Sequence, residues 1–206
     1  MFSSDWKGYR TLAWVLQGLL AIAIVVVLIQ GKWLPAAALA GFLVVSFLFV
    51  KLDHKLPNIF DLIFMIAALI NAGGWAWDLY NKPGPYDEIA HFFTIFAITL
   101  AFGFLLYREL MESFFNRRVM FVLTIASLGI AIGALWEVIE WLADFVVPKQ
   151  IVSGLFDTIT DIILDSAGAL LAALLNLRGL NELRSQASSP ARPASARPKT
   201  RKTLAR

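Results

Sequence analysis

Long apolar stretches, separated by short polar connections, run through most of this chain. Six of them approach or exceed the roughly 20 residues that a helix needs to cross the hydrocarbon core of a bilayer. They cover residues 11–30, 33–51, 57–80, 87–107, 119–145 and 157–177. Because the connections are short, neighbouring helices are expected to pack antiparallel. The pattern predicts an all-α fold, a polytopic membrane bundle of six transmembrane helices.

The composition supports this class of protein. Of the 206 residues, 59% are hydrophobic and 16% are charged, and the mean hydropathy is +0.70. A soluble domain of this length is usually about half apolar and about a quarter charged. The chain has no cysteine, so disulfides, thiolate metal sites and cysteine nucleophiles are excluded. The first stretch is too long for the apolar part of a signal peptide, and we interpret it as a retained span.

Lysine and arginine are distributed unevenly between the two sides of the predicted bundle. If the N-terminus is cytoplasmic, fifteen of the 18 basic residues lie on the cytoplasmic side. This strong positive-inside bias predicts that both termini are cytoplasmic in a bacterial inner membrane. Residues 1–178 are expected to form the transmembrane domain, and its motif-bearing part covers residues 57–177. Residues 179–206 are rich in serine, proline, alanine and arginine, which predicts a disordered basic tail.

Acidic residues recur at helical spacing near the outer end of the last three spans. Members of each set are three or four residues apart, so each set occupies one face of its helix. The sets are Asp87 with His91, then Glu137, Glu140 and Asp144, then Asp157, Asp161 and Asp165. A carboxylate at the centre of a membrane helix costs at least about 2.5–3.5 kcal/mol. We therefore expect these side chains to face the interior of the bundle, with Asp165 deepest.

Carboxylates gathered in one place repel one another. They become compatible when some are protonated and hydrogen-bonded, or when a cation binds among them. No lysine or arginine is predicted inside this half of the bundle, so a divalent metal is the simplest counter-charge. One imidazole with several carboxylate oxygens suits Mg²⁺, Mn²⁺ or Fe²⁺, and zinc accepts both ligand types.

These residues are assigned expected roles. His91 is expected to act as a ligand or a general base, and Asp87 to orient it. The principal metal ligands are expected to be Glu137, Glu140, Asp157 and Asp161. The remaining pocket residues are expected to be Asp165, Asp144, Trp141, Tyr86 and Asp78. The alternative is that the acids are protonated and hydrogen-bond the helices together.

Other polar or small residues receive simpler interpretations. His54 is expected in a solvated loop, and Asp61 is interpreted as an isolated cap or hydrogen-bonding residue. The glycine pair in GIAIG, Gly129 and Gly133, is typical of close helix packing. Gly73-Gly74 also indicates close packing, or a break in the third helix.

Three motifs together resemble the YjdF-type inner-membrane protein family, which is distantly similar to VanZ-like membrane proteins. They are YDEIAHFF at 86–93, ALWEVIEWLAD at 134–144 and FDTITDIILDSAGA at 156–169. The resemblance implies a helical membrane fold and a site at the family's motif positions. In this chain those positions are Tyr86, Asp87, His91, Phe92, Glu137, Glu140, Trp141, Asp157, Thr158, Asp161, Gly168 and Ala169.

Two main candidate functions follow from the acidic faces. The first is a metal-dependent membrane enzyme, a hydrolase or transferase acting on a lipid or lipid-linked substrate at the outer face. The second is a proton- or cation-coupled transporter, in which Asp161 and Asp165 continue a path inward. The inner halves of the last three spans are almost entirely apolar, which favours the enzyme. A structural or partner-binding role is a third alternative. Membrane lipids are the expected partners, and no nucleic acid is expected.

Overall fold

The computed structural model describes residues 6–51, 56–110, 117–147 and 151–188. Side chains of 107–110 and 179–188 are outside this description. Within these ranges the chain is helical, without strands. The helices are α1 (Lys7–Ile29), α2 (Trp33–Lys51), α3 (Asn58–Ala76), α4 (Tyr86–Leu110), α5 (Arg118–Ala143) and α6 (Leu155–Ser188), with a short 3₁₀ helix at Leu79–Asn81.

The prediction of six membrane-spanning helices is confirmed. The described residues contain six helices long and apolar enough to cross a bilayer. Several boundaries differ from the prediction by a few residues, and α6 is longer by more. The third span ends at Ala76 rather than at 80, because Asp78 has a left-handed backbone conformation, φ 56°, that interrupts the helix. Helix α6 continues to Ser188, into the predicted tail, and residues 189–206, like His54, lie outside the described residues.

The six helices form two groups of three. Helices α1, α2 and α3 pack on one another, as do α4, α5 and α6, and the contact between α3 and α4 joins the groups. The first group has an apolar core of small and aliphatic side chains that includes Ala13, Leu20, Leu39 and Met65. The ends of α1, α3 and α5 and the starts of α2, α4 and α6 share one end of the bundle. We call it the acidic end, since Asp87, Glu140 and Asp157 lie there.

Glycines allow the second group to pack closely. A methyl group at Gly168 would clash with the carbonyl oxygen of Phe92 and lie 3.2 Å from the backbone nitrogen of Phe96. At Gly129 it would lie 2.7 Å from the Cβ of Ala169. The backbones of α4 and α6 therefore approach directly, with α5 against both. The predicted packing role of the GIAIG glycines is confirmed.

The glycine pair near the end of α3 makes room for tyrosines. A methyl group at Gly73 would lie 2.6 Å from the hydroxyl of Tyr86, and one at Gly74 would overlap the ring of Tyr80. Helix α3 continues through both glycines to Ala76. The packing interpretation is thus confirmed, and the alternative of a break at Gly73-Gly74 is wrong.

The interpretation of Asp61 is confirmed as to hydrogen bonding, but the residue is not isolated. Its carboxylate forms an ion pair with Arg10 of α1 and is fully buried. It also accepts a hydrogen bond of 2.6 Å from Ser46 of α2, and Ser46 in turn accepts one of 2.5 Å from Gln17. Asn58 accepts a further bond of 3.0 Å from Arg10. This polar network connects α1, α2 and α3 toward the end opposite the acidic one.

Candidate metal centre

One imidazole lies where α4, α5 and α6 meet. His91 is in the second turn of α4 and is 7% exposed. Its Nε2 lies 3.6 Å from a carboxylate oxygen of Asp87, one turn earlier on the same helix. Its Nδ1 lies 3.6 Å from Oε1 of Glu137 on α5 and 3.4 Å from Oδ1 of Asp165 on α6. Both ring nitrogens therefore face carboxylates.

Two groups of side chains each bring their potential ligand atoms close enough together to hold a metal ion. The first consists of Asp87, His91 and Asp161, and the second of His91, Glu137 and Glu140. Within each group, the atoms that could act as ligands lie within 4.8 Å of one another. We call these the aspartate group and the glutamate group. Because both contain His91, the two groups are neighbouring positions of one site.

Three buried carboxylate oxygens in this site have no hydrogen-bond partner among the described residues: Oε1 of Glu137 and both oxygens of Asp165. Glu137 is 6% exposed and Asp165 is 1% exposed. Buried polar atoms are nearly always hydrogen-bonded or bound to an ion or water. No lysine or arginine in the described ranges forms an ion pair with these acids. The arrangement is therefore suited to a ligand that supplies positive charge or protons.

The surrounding packing holds the acids in place. The indole Nε1 of Trp136 donates a hydrogen bond of 2.8 Å to Glu140, one turn later on α5. A methyl group at Gly133 would lie 2.8 Å from the Cβ of Asp165, so this glycine provides the space that the aspartate occupies. The ring of Trp136 also packs on Trp75 of α3, with 6.4 Å between ring centroids. Helix α3 thus contributes to the walls of the site.

A second polar cluster connects α3 with α4 beside the carboxylates. Tyr80 donates a hydrogen bond of 2.9 Å to the buried Asn71, whose amide donates one of 2.8 Å to Thr94. Tyr86 donates one of 2.6 Å to the carbonyl of Ile70. Burial, and then the nearby Asp87 carboxylate, raise the pKa of Tyr80 well above the ordinary tyrosine value. Tyr80 therefore remains a neutral donor at physiological pH.

The structure brings six predicted residues to the site and gives others different partners. Asp87, His91, Glu137, Glu140 and Asp161 form the two groups, and Asp165 contacts His91. Asp157, predicted as a ligand, belongs to neither group and accepts a 3.0 Å hydrogen bond from the backbone of Ser153.

Four predicted pocket residues need a different description. Asp144 accepts hydrogen bonds from the backbone N–H groups of Ile151 and Val152, so it organises the connection from α5 to α6. Asp78 accepts one of 2.8 Å from Asn81 and lies on the surface. Trp141 is 56% exposed. Tyr86 packs on Tyr80 and donates its hydroxyl to the backbone of α3.

Sequence reasoning missed several supporting residues. The spacing of Trp136 and Glu140, four residues apart on one helix, is a local signal that could have suggested their hydrogen bond. Asn71 and Tyr80 carried no comparable signal, because their bond forms only after the chain turns between α3 and the 3₁₀ helix. Their place near the site depends on the packing of α3 against α4.

Six helices that are long and apolar enough to cross a bilayer define a multi-pass α-helical membrane protein. The chain belongs to the DUF2238 family, described as predicted membrane proteins, which it matches over residues 12–182. It is similar to a protein of Thermotoga maritima named "Uncharacterized protein", with 28% identity over 172 residues, 80% of this chain and 88% of that protein. No solved structure matches the chain.

Proposed function

We propose that the acidic end binds a divalent cation at His91 and that the protein is a metal-dependent enzyme acting on a lipid or lipid-linked substrate. One observation supports this most: a buried imidazole surrounded by carboxylates from three helices, with buried oxygens that have no partner in the described structure. A cation at His91 would offset the repulsion among the acids, and the imidazole N–H on its other side would face the unpartnered oxygens of Asp165. The donor set of one imidazole and several carboxylates fits Mg²⁺, Mn²⁺, Fe²⁺ or Zn²⁺.

The aspartate group is the favoured position for the cation. A histidine that binds a metal through one nitrogen usually donates its other N–H to a carboxylate, which fixes the ring. With the cation on the Nε2 side, near Asp87, the Nδ1–H can point toward Asp165, 3.4 Å away. A cation on the Nδ1 side would compete with that contact. Asp87 is 32% exposed, so the aspartate group also has access to solvent.

The residues of the site would have different roles. Asp87 and Asp161 would share the cation with His91, while Asp165 and Glu137 hold the ring from its other side. Glu140, kept in place by Trp136, is positioned as a carboxylate base near the site. A bound divalent ion would polarise a phosphoryl or carbonyl oxygen, or activate water. This supports a hydrolase or transferase at the membrane surface.

Metal binding should raise the thermal stability of the purified protein. A ligand that binds only the folded state stabilises it by about 2.7 kcal/mol at a concentration 100-fold above its dissociation constant. We expect the melting temperature to rise with Mg²⁺, Mn²⁺ or Zn²⁺ in a thermal-shift titration. His91→Gln should abolish the rise, since His91 belongs to both groups, and Asp161→Asn should remove most of it.

Two matched variants locate the cation. Glu140→Gln removes a carboxylate from the glutamate group and should leave most of the response if the aspartate group binds the metal. Glu88→Gln removes a charge from the same end of α4, outside both groups, and should respond like the wild type. If none of the three metals raises the melting temperature of the wild type, and Asp161→Asn is as stable as the wild type, the acids have a structural role and do not bind metal.

A cation- or proton-coupled transporter is the second candidate, and a specific observation favours it. The α4–α6 interface contains two further buried polar residues, Thr99 and Asn176, toward the opposite end. Thr99 Oγ1 has no hydrogen-bond partner within the described structure, and Asn176 donates a 3.2 Å bond to the carbonyl of Leu100. Cation flux into proteoliposomes would support transport, whereas metal-dependent turnover of a lipid without flux would support the enzyme.

We also propose that the protein resides in a bacterial inner membrane with both termini in the cytoplasm, so that the acidic end faces outward. The support is the excess of lysine and arginine in the opposite connections. The resemblance to the YjdF-type family is consistent with this location. A reporter fused after Arg206 that is active only in the cytoplasm is the expected result. Activity only outside the cytoplasm would reverse the orientation of the site.

A further inference from the structure

The connection from α5 to α6 exposes large apolar side chains at the acidic end. Phe145 is 70% exposed, Val146 78%, Leu155 79% and Phe156 88%. With Trp141, which is 56% exposed, we call these residues the apolar rim. The tip of the connection between α3 and α4 at the same end, around Lys82, is exposed and contains two prolines and one glycine, and Trp77 at its start is 68% exposed. Among the described residues, the five large apolar side chains of the rim are thus exposed around the α5–α6 connection, and one, Trp77, is exposed in the α3–α4 connection.

The lengths of α5 and α6 place the apolar rim at the membrane surface. A helix of about 20 residues spans the roughly 30 Å hydrocarbon core. Counted from Arg118, where α5 begins, this length ends near Val138. Counted back from Arg178, near the other end of the membrane-spanning part of α6, it ends near Thr158. At about 1.5 Å per residue, Trp141 lies about 5 Å beyond Val138, and Phe156 and Leu155 lie about 3–5 Å beyond Thr158, within the lipid headgroup layer of about 5–8 Å on each side. Phe145 and Val146 lie in the turn that follows the end of α5 at Ala143.

The acids that flank the connection bind its backbone, while its large apolar side chains remain exposed. Asp144 accepts hydrogen bonds of 2.5 and 3.2 Å from the backbone N–H groups of Ile151 and Val152. Asp157 accepts one of 3.0 Å from Ser153. Both carboxylates thus bind backbone of the connection itself. On the outside, Trp141 packs edge-on against Phe145 with ring centroids 4.9 Å apart, and tryptophan is enriched at membrane interfaces.

The rim continues the lipid-facing sides of its two helices. On α5, Leu142 is 52% exposed and Ile139 49%, and on α6, Ile159 is 47% exposed and Ile163 61%. Ile163 and Ile159 lie within the hydrocarbon length counted on α6, and Ile139 and Leu142 follow its end on α5 within about 6 Å. Along the described part of the chain, Leu142 is followed by the exposed Phe145, and Ile159 is preceded by the exposed Phe156. This continuity favours lipid as the partner over a second copy of the chain, which would cover a bounded patch.

We propose that the apolar rim is inserted into the headgroup region of the bilayer and holds the mouth of the carboxylate site at that level. Asp144 is one turn from Glu140 of the glutamate group, and Asp157 is one turn from Asp161 of the aspartate group. The inserted connection is therefore attached directly to both groups. A lipid whose headgroup lies at this depth meets the site without leaving the membrane. This lipid contact does not depend on whether a metal binds.

The chain contains no cysteine, so single cysteines can be labelled without other changes. Phe156→Cys and Val146→Cys would each carry an environment-sensitive fluorophore, in protein reconstituted into phosphatidylcholine vesicles. Lys82→Cys is the matched control, because it lies in the polar connection at the same end of the bundle. Both rim residues are highly exposed, so these substitutions disturb little packing.

The rim probes should be quenched several-fold more strongly by spin-labelled lipid than the Lys82 probe, and several-fold less by iodide in the buffer. Iodide quenching of both rim probes equal to that at Lys82 would place the connection in water and overturn the proposal. Protection of the rim probes from both quenchers would show coverage by protein, such as a second copy of the chain, and would overturn it as well.

Discussion

Replacing Arg10 by methionine is expected to destabilise the protein by about 3–5 kcal/mol, the usual cost of leaving one partner of a buried ion pair without the other. Arg10 donates to the carboxylate of Asp61, which is fully buried, and to Asn58. Methionine retains the length and apolar character of the side chain but removes the charge. The carboxylate would then lose its arginine within the packed group of α1, α2 and α3.

The control for Arg10→Met is a substitution of Lys7, a basic residue on the surface of the same helix. Lys7 is exposed, so Lys7→Met removes one positive charge from α1 without affecting the buried ion pair. Thermal unfolding in detergent should show a large loss for Arg10→Met and little change for Lys7→Met. The double variant Arg10→Met/Asp61→Leu should recover much of the loss, because an apolar pair replaces the ion pair. Equal stability of the two single variants would contradict a structural role for the pair.

Alanine at Gly168 should also have a large effect, through the backbone rather than through charge. Its methyl group would clash with the carbonyl oxygen of Phe92 and lie 3.3 Å from the carbonyl carbon. Backbone atoms cannot rotate away, so α4 and α6 would have to separate. Overpacking of this kind typically costs about 1–3 kcal/mol, and sometimes more. Because Phe92 follows His91, we also expect Gly168→Ala to weaken the thermal response to metal.

Gly41 provides a control with the opposite expected sign. It lies within α2, and a methyl group there would meet nothing within 4 Å. Gly41→Ala should therefore be neutral or stabilising, by up to about 1 kcal/mol, because alanine favours the helix. Melting temperatures of the two variants, with and without metal, give the comparison. A Gly168→Ala protein as stable as Gly41→Ala would show that the close approach of α4 and α6 is not essential.

The spans were predictable because their signal is local. A chain segment in lipid must satisfy its own backbone hydrogen bonds, so a long apolar stretch has little choice but to form a helix. The same reasoning placed the acids on helical faces, since positions three or four residues apart share a face. His91, Glu137 and Asp161 could thus be selected as candidates before their neighbours were known. The end of α3 was less predictable, because it depends on the backbone conformation of Asp78.

Sequence spacing could not tell which acids contact one another. Asp157 and Asp161 are one turn apart on the same face, yet Asp161 is 3% exposed within the site and Asp157 binds the backbone of Ser153. Asp144 shares a face with Glu140 but organises the connection after α5. Near a helix end, a carboxylate can reach either the bundle interior or nearby backbone N–H groups. The fold of the connection decides between them.

The sequence by itself determined that this is a helical membrane protein whose last three spans carry a histidine and several acids toward one end. Only the tertiary structure decided that His91 lies between Asp87, Glu137 and Asp165, and that Asp61 pairs with Arg10, 51 residues earlier in the chain. The hydrophobic pattern specifies which residues enter the membrane. It does not specify how each helix is rotated against its neighbours, which depends on close contacts such as that between Gly168 and Phe92.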